Sequence, residues 1–316
     1  MRYLILVLKD YSYPFLDRML MDVRRTGTEV IPFLVSEGRI IAEDGSGDGD
    51  ALIDEMLFTD RRMQSFIVTD CAEGTDAAIR NSIGFVFMEG AAERDASDTG
   101  VSDEEYPDVS SAQCIIQGFD EVDAGFLIKM YERFHHLPWT ILETDRLILR
   151  EMTVDDVDRL YEIYSGPGIT EFTEPLYEER QQEIQYTKDY IRNMYEFCGY
   201  GLWLVIEKDG DEAGRIVGRA GITGREGYDE AELGYVIEAS RQRRGYASEA
   251  CRAIIGYARD TLDMSGLNCF VYPENEASLK LCKLLGFEYI EDVLISGRNM
   301  NRYHLDLSLS DKGDNT

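Results

Sequence analysis

The sequence predicts two units in series. The first is an α/β domain over residues 1–137, three layers built on a small parallel sheet. The second is an α+β domain over residues 143–310 with a mixed, mostly antiparallel sheet. Three observations carry this. The first half alternates short unbroken apolar runs with amphipathic helical patterns, the signature of parallel strands covered on both faces. The segment His135-His136-Leu137-Pro138-Trp139-Thr140 ends a helical pattern and places a proline before an extended stretch. In the second half strands follow one another across short polar turns, as in a meander. A length of 316 residues agrees with about two domains.

In the first half the strand candidates are Tyr3–Leu8, Glu29–Val35, Ser65–Thr69, Gly84–Met88 and Gln113–Ile116. Helical patterns fill Pro14–Arg25, Ala51–Arg61, Thr75–Asn81 and Glu121–Phe134. In the last of these, Val122, Phe126, Met130 and Phe134 recur every four residues on one face. After the boundary Arg146–Arg150 reads as a strand. Thr153 with Asp156 three residues on reads as a capping box opening a helix. A second helix covers 184–197. Strands follow at Gly201–Lys208, Ile216–Thr223 and Ala231–Ile237, then at Asn268–Tyr272 and Arg302–Leu309.

Composition sets limits on function. A net charge of −29, spread over both halves, leaves no basic face for a nucleic-acid backbone. Excess acid solubilises, and it also favours cationic partners. The six cysteines form no CxxC and give no zinc spacing, so free thiols in a reducing compartment and no bound metal are expected. No apolar run reaches membrane length and no leader pattern opens the chain, so a cytoplasmic location is expected.

Three apparent motifs read as loop or helix end. Gly45-Ser46-Gly47-Asp48-Gly49 imitates a phosphate loop but is ringed by acids. Asp98-Thr99-Gly100 imitates an aspartic-protease signature, without an apolar strand before it or a second copy. His135-His136 are adjacent in a helical pattern and do not face one ligand.

The chemistry concentrates after Ile237. Gln242-Arg243-Arg244-Gly245-Tyr246-Ala247 joins a strand to an amphipathic helix marked by Ala247, Ala250, Cys251, Ile254, Ile255 and Ala258. Such a junction aims backbone N–H groups and the positive end of a helix dipole at one spot. Gly245 lets a ligand approach the backbone, and Arg241, Arg243 and Arg244 make this the most basic point of the chain. A pyrophosphate suits it. A Rossmann unit does not, because its glycine turn belongs between parallel strands.

Together with Glu143–Arg150, Glu232–Ile237 and Asn275–Phe287, this segment resembles the GNAT superfamily of acyl-CoA-dependent N-acetyltransferases. The likeness is strongest to the branch of ribosomal-protein N-terminal acetyltransferases. The resemblance implies acetyl-CoA as cosubstrate, with pyrophosphate on the amides of Gln242, Arg243, Arg244, Gly245, Tyr246 and Ala247. It implies pantetheine between two splayed strands near Val236 and Ile237, with Asn275 and Ser278 beside the arm and the thiol. Relatives place a tyrosine seven residues after that asparagine as an acid; this chain has Cys282, which leaves Ser278, a water, or no acid.

An amine must lose a proton before it attacks a thioester. Period-two alternation groups Glu232 with Gly234 and Val236 on one strand face, which makes Glu232 either a general base or a surface glutamate. The loop Gly166–Arg180 carries Glu171, Glu174, Glu178 and Glu179 around Phe172 and Tyr177. It is either a cationic-acceptor site or a solvated loop.

In the first half, Phe66–Asp70, Ala77-Ala78 and Gly84–Phe87 resemble part of a haloacid-dehalogenase-type domain. That family pairs two aspartates two residues apart; here Asp10 is followed by Ser12, which implies a domain without that chemistry. The expected activity is acetyl transfer to a primary amine of a small molecule or protein N-terminus. The alternatives are an acyl-CoA-binding regulatory protein without turnover, or a hydrolase unit with an acyl-CoA sensor. The acceptor and the oligomeric state stay open.

Overall fold

The computed structural model describes the chain except residues 43–47, 59, 90–106, 209–211 and 309–316. The glycines at 45 and 47 and the triplet at 98–100 lie outside the described residues. The chain divides into two compact units, Met1–Leu137 and Pro138–Thr316.

The first unit contains β1 (Tyr3–Leu8), α1 (Leu16–Arg25), β2 (Glu29–Ser36), β3 (Arg39–Ala42), α2 (Gly49–Leu57), β4 (Ser65–Thr69), α3 (Ala72–Asn81), β5 (Phe85–Met88), β6 (Cys114–Ile116) and α4 (Ala124–Phe134). Its strand order is β3-β2-β1-β4-β5-β6. Alternate residues of β1 enter opposite layers, as a period of two requires. Leu4, Leu6 and Leu8 pack with Leu16, Met19, Val23 and Leu127, while Ile5 and Val7 pack with Ile53, Leu57, Ala77 and Ala78. The expectation of a parallel sheet needs correction. β3 runs antiparallel to β2, so the sheet is mixed. The cause is the two-residue turn Glu37-Gly38, with φ of 50° and 69°. Two successive positive φ values fold a chain straight back into a hairpin.

The second unit contains β7 (Thr140–Glu143), β8 (Leu147–Arg150), α5 (Val157–Tyr164), α6 (Arg180–Tyr190), β9 (Leu202–Glu207), β10 (Ile216–Thr223), β11 (Glu232–Ile237), α7 (Tyr246–Asp260), β12 (Gly266–Val271), α8 (Glu276–Leu284), β13 (Glu288–Ile295) and β14 (Arg298–Asp306). The eight strands run β13-β14-β12-β11-β10-β9-β8-β7. Every neighbouring pair is antiparallel except β11 with β12. The apolar stripe of α7, Ala250, Cys251, Ile254 and Ala258, is buried against this sheet with Trp203, Ala220 and Leu233. The helix read as 184–197 is α6 continued by a π-helical stretch, Ile191–Cys198. Among the described residues no helix is long and apolar enough to cross a membrane.

Candidate active site

β11 organises the site through both of its edges. The Glu238 N–H donates to the Val217 carbonyl, which fixes the register against β10. Glu232, Gly234 and Val236 therefore lie opposite Thr223, Gly221 and Arg219 and turn their backbone groups toward them. Leu233, Tyr235 and Ile237 turn theirs toward β12. There the pairing is parallel and limited to one position, Glu232 with Asn268.

Buried Asn268 locks that rung. Its N–H donates to Ala231 O at 2.8 Å and its Nδ2 to Glu230 O at 3.1 Å. Beyond it the strands part. Leu233 O accepts the Cys269 thiol at 3.4 Å and Ile237 O accepts Gln242 Nε2 at 3.1 Å. The Tyr235 amide and carbonyl face the gap. The resemblance implied pantetheine near Val236 and Ile237, and these two residues face different edges of β11. The backbone of Val236 serves β10, and Tyr235 and Ile237 present theirs to the opening.

A cavity of about 720 Å³ opens here, with Glu232, Gly234, Val236, Asn275 and Ser278 in its wall. The Glu232 side chain is 13% exposed and accepts a 2.6 Å bond from Arg225 Nε. Burial raises its carboxyl above the ordinary range against the pull of Arg225. Asn275 caps α8: its Oδ1 accepts the Ser278 amide at 3.1 Å. Ser278 Oγ accepts the Tyr235 hydroxyl at 2.9 Å. Cys282 is buried, and it hydrogen-bonds Cys269, the chief cause that holds the Cys269 thiol well above its usual value.

Behind the far end of β11 stands the glycine junction. Gly245 takes φ 83° and precedes α7, whose first turn has no side-chain cap. That leaves the opening N–H groups of a fifteen-residue helix available to a ligand. The acid in this turn, Glu249, is occupied by the Thr144 hydroxyl and by Arg146. Arg243 and Arg244 are exposed. Arg241 is spent elsewhere, on Glu207 and Glu212. None of Gln242, Arg243, Arg244, Gly245, Tyr246 and Ala247 lines the cavity. The two features sit at opposite ends of β11.

Of the acidic loop, Phe172, Thr173 and Glu174 line the cavity; Glu171, Glu178 and Glu179 are exposed and do not.

Sequence reasoning missed four residues here. Arg225 holds Glu232, and Tyr235 reaches Ser278. Arg146 stacks 4.9 Å over Tyr246 and donates to Arg244 O at 3.1 Å, beside Gly245. Arg219 lines the cavity from β10. Only Arg219 left a signal, a charge in the middle of the apolar run Ile216–Ile222. Among the described residues no group of three or more His, Cys, Asp or Glu is placed to hold a metal ion.

A mixed sheet opened at one parallel junction, with a bare helix N-terminus at one end and a carboxylate-bearing cavity at the other, defines an acyltransferase domain. Residues 146–288 match the family model described as the acetyltransferase (GNAT) domain. The uncharacterized N-acetyltransferase YoaA of Bacillus subtilis (strain 168) is 30% identical over 150 residues, 47% of this chain and 82% of that protein. The uncharacterized N-acetyltransferase p20 of Bacillus licheniformis is 30% identical over 153 residues, 46% of this chain and 82% of its own length. A crystal structure of an acetyltransferase from Agrobacterium tumefaciens (strain C58) aligns with a TM-score of 0.45 at 24% identity, covering 53% of this chain and 95% of that one. The chain belongs to the GNAT acetyltransferase family.

Proposed function

We propose that the second unit moves an acetyl group from acetyl-CoA to a primary amine of a small molecule or a protein N-terminus, by direct attack. The observation that carries this reading is the single rung between β11 and β12, followed by a gap edged with backbone donors and acceptors. An extended pantetheine arm would complete the edge of β11 at Tyr235 and Ile237. The diphosphate would take the first-turn N–H groups of α7, with Arg243 and Arg244 alongside.

The chemistry then divides among this chain's residues. Glu232 removes a proton from the ammonium, so that nitrogen attacks the thioester carbonyl. The Tyr235 N–H is the donor available to the developing oxyanion. As the C–N bond forms and the C–S bond breaks, the nitrogen gives up its second proton and the departing sulfur takes one up to leave as the thiol, so the one proton released overall is the one held by Glu232. Ser278, held by Tyr235, stands in the same wall as a proton source. The carboxyl of Glu232 in the cavity wall favours turnover over mere acyl-CoA binding, because burial raises its proton affinity, which makes it a stronger general base.

Thiol release from acetyl-CoA with a panel of amines tests the proposal. Release with at least one amine is expected. Tight acetyl-CoA binding with no release from any amine would favour the binder reading.

For the first unit we propose a supporting role without hydrolase chemistry. Ser12, in place of a second aspartate, donates to Asp10 at 2.6 Å. Magnesium-dependent phosphate release that disappears in Asp10→Asn would overturn this.

A further inference from the structure

We infer that the acceptor carries a carboxylate beside its amine, and that Arg219 is the residue that binds it. The inference rests on the acetyl-transfer reading above and deepens it.

Arg219 lies mid-strand in β10 opposite Val236, on the face that also bears Gly234 and Glu232. Its side chain lines the cavity. Tyr164 holds it there: Nε donates to the Tyr164 hydroxyl at 2.8 Å, and the guanidinium stacks 5.0 Å over the ring. Tyr186 and Tyr190 crowd around it. Among the described residues no carboxylate lies within ion-pair reach of this guanidinium. Other arginines of the unit show the opposite habit. Arg150 pairs with Asp156, Arg159 and Arg215 with Glu238, and Arg225 with Glu232.

In a chain with 61 acidic and 32 basic residues, an enclosed arginine without an acid is out of keeping with the composition. Enclosing a cation without a counter-ion opposes folding, so its retention in a cavity wall points to a counter-ion that comes and goes. The terminal nitrogens have no hydrogen-bond partner among the described residues, and they are absent from its buried, unpartnered atoms. They therefore reach cavity space. A planar fork of two N–H groups matches the two oxygens of a carboxylate.

The rest of the wall narrows the anion. Glu174, Asp189 and Glu226 line the same cavity. With Glu232 and Arg225 in the same wall paired to each other, Arg219 is left facing three carboxylates, a balance that suits a monoanion and disfavours a phosphate dianion. A polyamine would meet the acids but would have to pass the uncompensated Arg219.

The spacing is that of a small zwitterion. Arg219 faces Val236, four residues from Glu232, so the two backbones stand about 13 Å apart along the strand. Two long side chains shorten that span. Gly234, which lies between them in the cavity wall, brings no side chain into that span. An amine delivered toward Glu232 and a carboxylate toward Arg219 fit a free amino acid. An N-terminal residue with an acidic side chain fits equally.

Calorimetric titration of the full chain, with and without CoA, tests this with matched pairs. One arm sets γ-aminobutyrate against butylamine and phenylalanine against phenethylamine. The other sets an amidated peptide beginning with Glu against the same peptide beginning with Gln. Wild type is expected to prefer the carboxylate member at least about tenfold in one arm, which also identifies the source. Arg219→Gln should erase the preference, and Arg219→Lys, which keeps the charge and loses the fork, should restore part of it.

Equal binding within every pair, no binding of any carboxylate member, or a preference that survives Arg219→Gln overturns the inference. If Arg219→Gln does not fold, an undiminished preference in Arg219→Lys overturns it. The acetyl-transfer reading is scored separately. Thiol release without carboxylate preference sustains it while this inference fails, and wild type that does not bind acetyl-CoA refutes it instead.

Discussion

In the first unit β1 is paired on both edges, at six positions with β2 and five with β4. In the second, β11 is paired at six positions with β10 and at one with β12. The polar groups at the strand ends follow the same contrast. Asp10 accepts the Ser12 amide and hydroxyl, and Asp70 accepts the Lys9 amide at 2.9 Å and the Tyr13 hydroxyl at 2.5 Å. These carboxylates are consumed by their own turns. Around β11 the backbone of Tyr235 faces a gap, and Arg219 and Glu232 face a cavity. A saturated sheet end has few groups left for a ligand, whereas a sheet that stops pairing after one rung offers a ladder edge and the side chains beside it. Asn268 holds the one rung that pairs.

The strongest test of the open sheet is at its far end. Gly245→Glu should abolish acetyl-CoA binding, because φ 83° resists any side chain and a carboxylate would stand before the α7 amides. The nearest atom to a Cβ there is Arg146 Nη2 at 3.4 Å, so the fold has room to survive. Undiminished affinity by calorimetry would remove the pyrophosphate from this junction.

Glu232→Gln should come next, lowering kcat about 10²–10⁴-fold with acetyl-CoA affinity nearly unchanged. The wild-type rate should rise with pH through the raised carboxyl of Glu232, since the base works ionised. Arg225→Ala should move that limb further toward alkaline pH by removing the group that holds the carboxyl down. A mutant with wild-type kcat at pH 7 would return Glu232 to a structural role.

Much of this was legible in the residues, for reasons that also explain what was not. The period-two pattern of β11 groups Glu232, Gly234 and Val236 on one face, and these three line the cavity along with Leu233 and Tyr235. The glycine between strand and helix located the α7 terminus, because a left-handed residue there leaves a local mark. The β2–β3 hairpin escaped notice, since Glu37-Gly38 lacks the usual Asn or Asp at its first position. Which backbone groups of β11 face the gap depends on strand order, a property of the whole sheet. The partners of Glu232 and Ser278 are tertiary as well. Arg225 is seven residues from Glu232 and Tyr235 forty-three from Ser278, and no spacing rule joins them.

The smallest expected effect sets one carboxylate from each unit against the other. In the second unit Asp156 closes a capping box with Thr153 in the turn Val154–Asp156 that leads into α5, and receives Arg150 through both oxygens at 2.9 and 3.0 Å. Burial alone would raise its carboxyl; Arg150 and Thr153 outweigh that and hold it below the ordinary range. A lowered carboxyl stabilises the folded state above the unfolded pKa and loses that contribution as pH falls through the folded one. In the first unit, burial raises the carboxyl of Asp70 against Tyr13 and Lys9. Its sign is opposite: the favourable contribution is present below the unfolded pKa and disappears as pH rises through the folded one. Asp156→Asn should therefore cost about 2 kcal/mol at pH 7 and less in acid. Asp70→Asn should lie within about 1 kcal/mol of wild type at pH 7, because asparagine removes the buried charge while its Oδ1 can accept the Lys9 amide and its Nδ2 can donate to the Tyr13 hydroxyl oxygen. Denaturant melts at pH 7 and pH 4, with hydrogen exchange assigning the loss to α5 or to the end of β4, read both numbers. An Asp70→Asn variant that loses more than Asp156→Asn at pH 7 would show that the consumed carboxylate is the one its unit depends on.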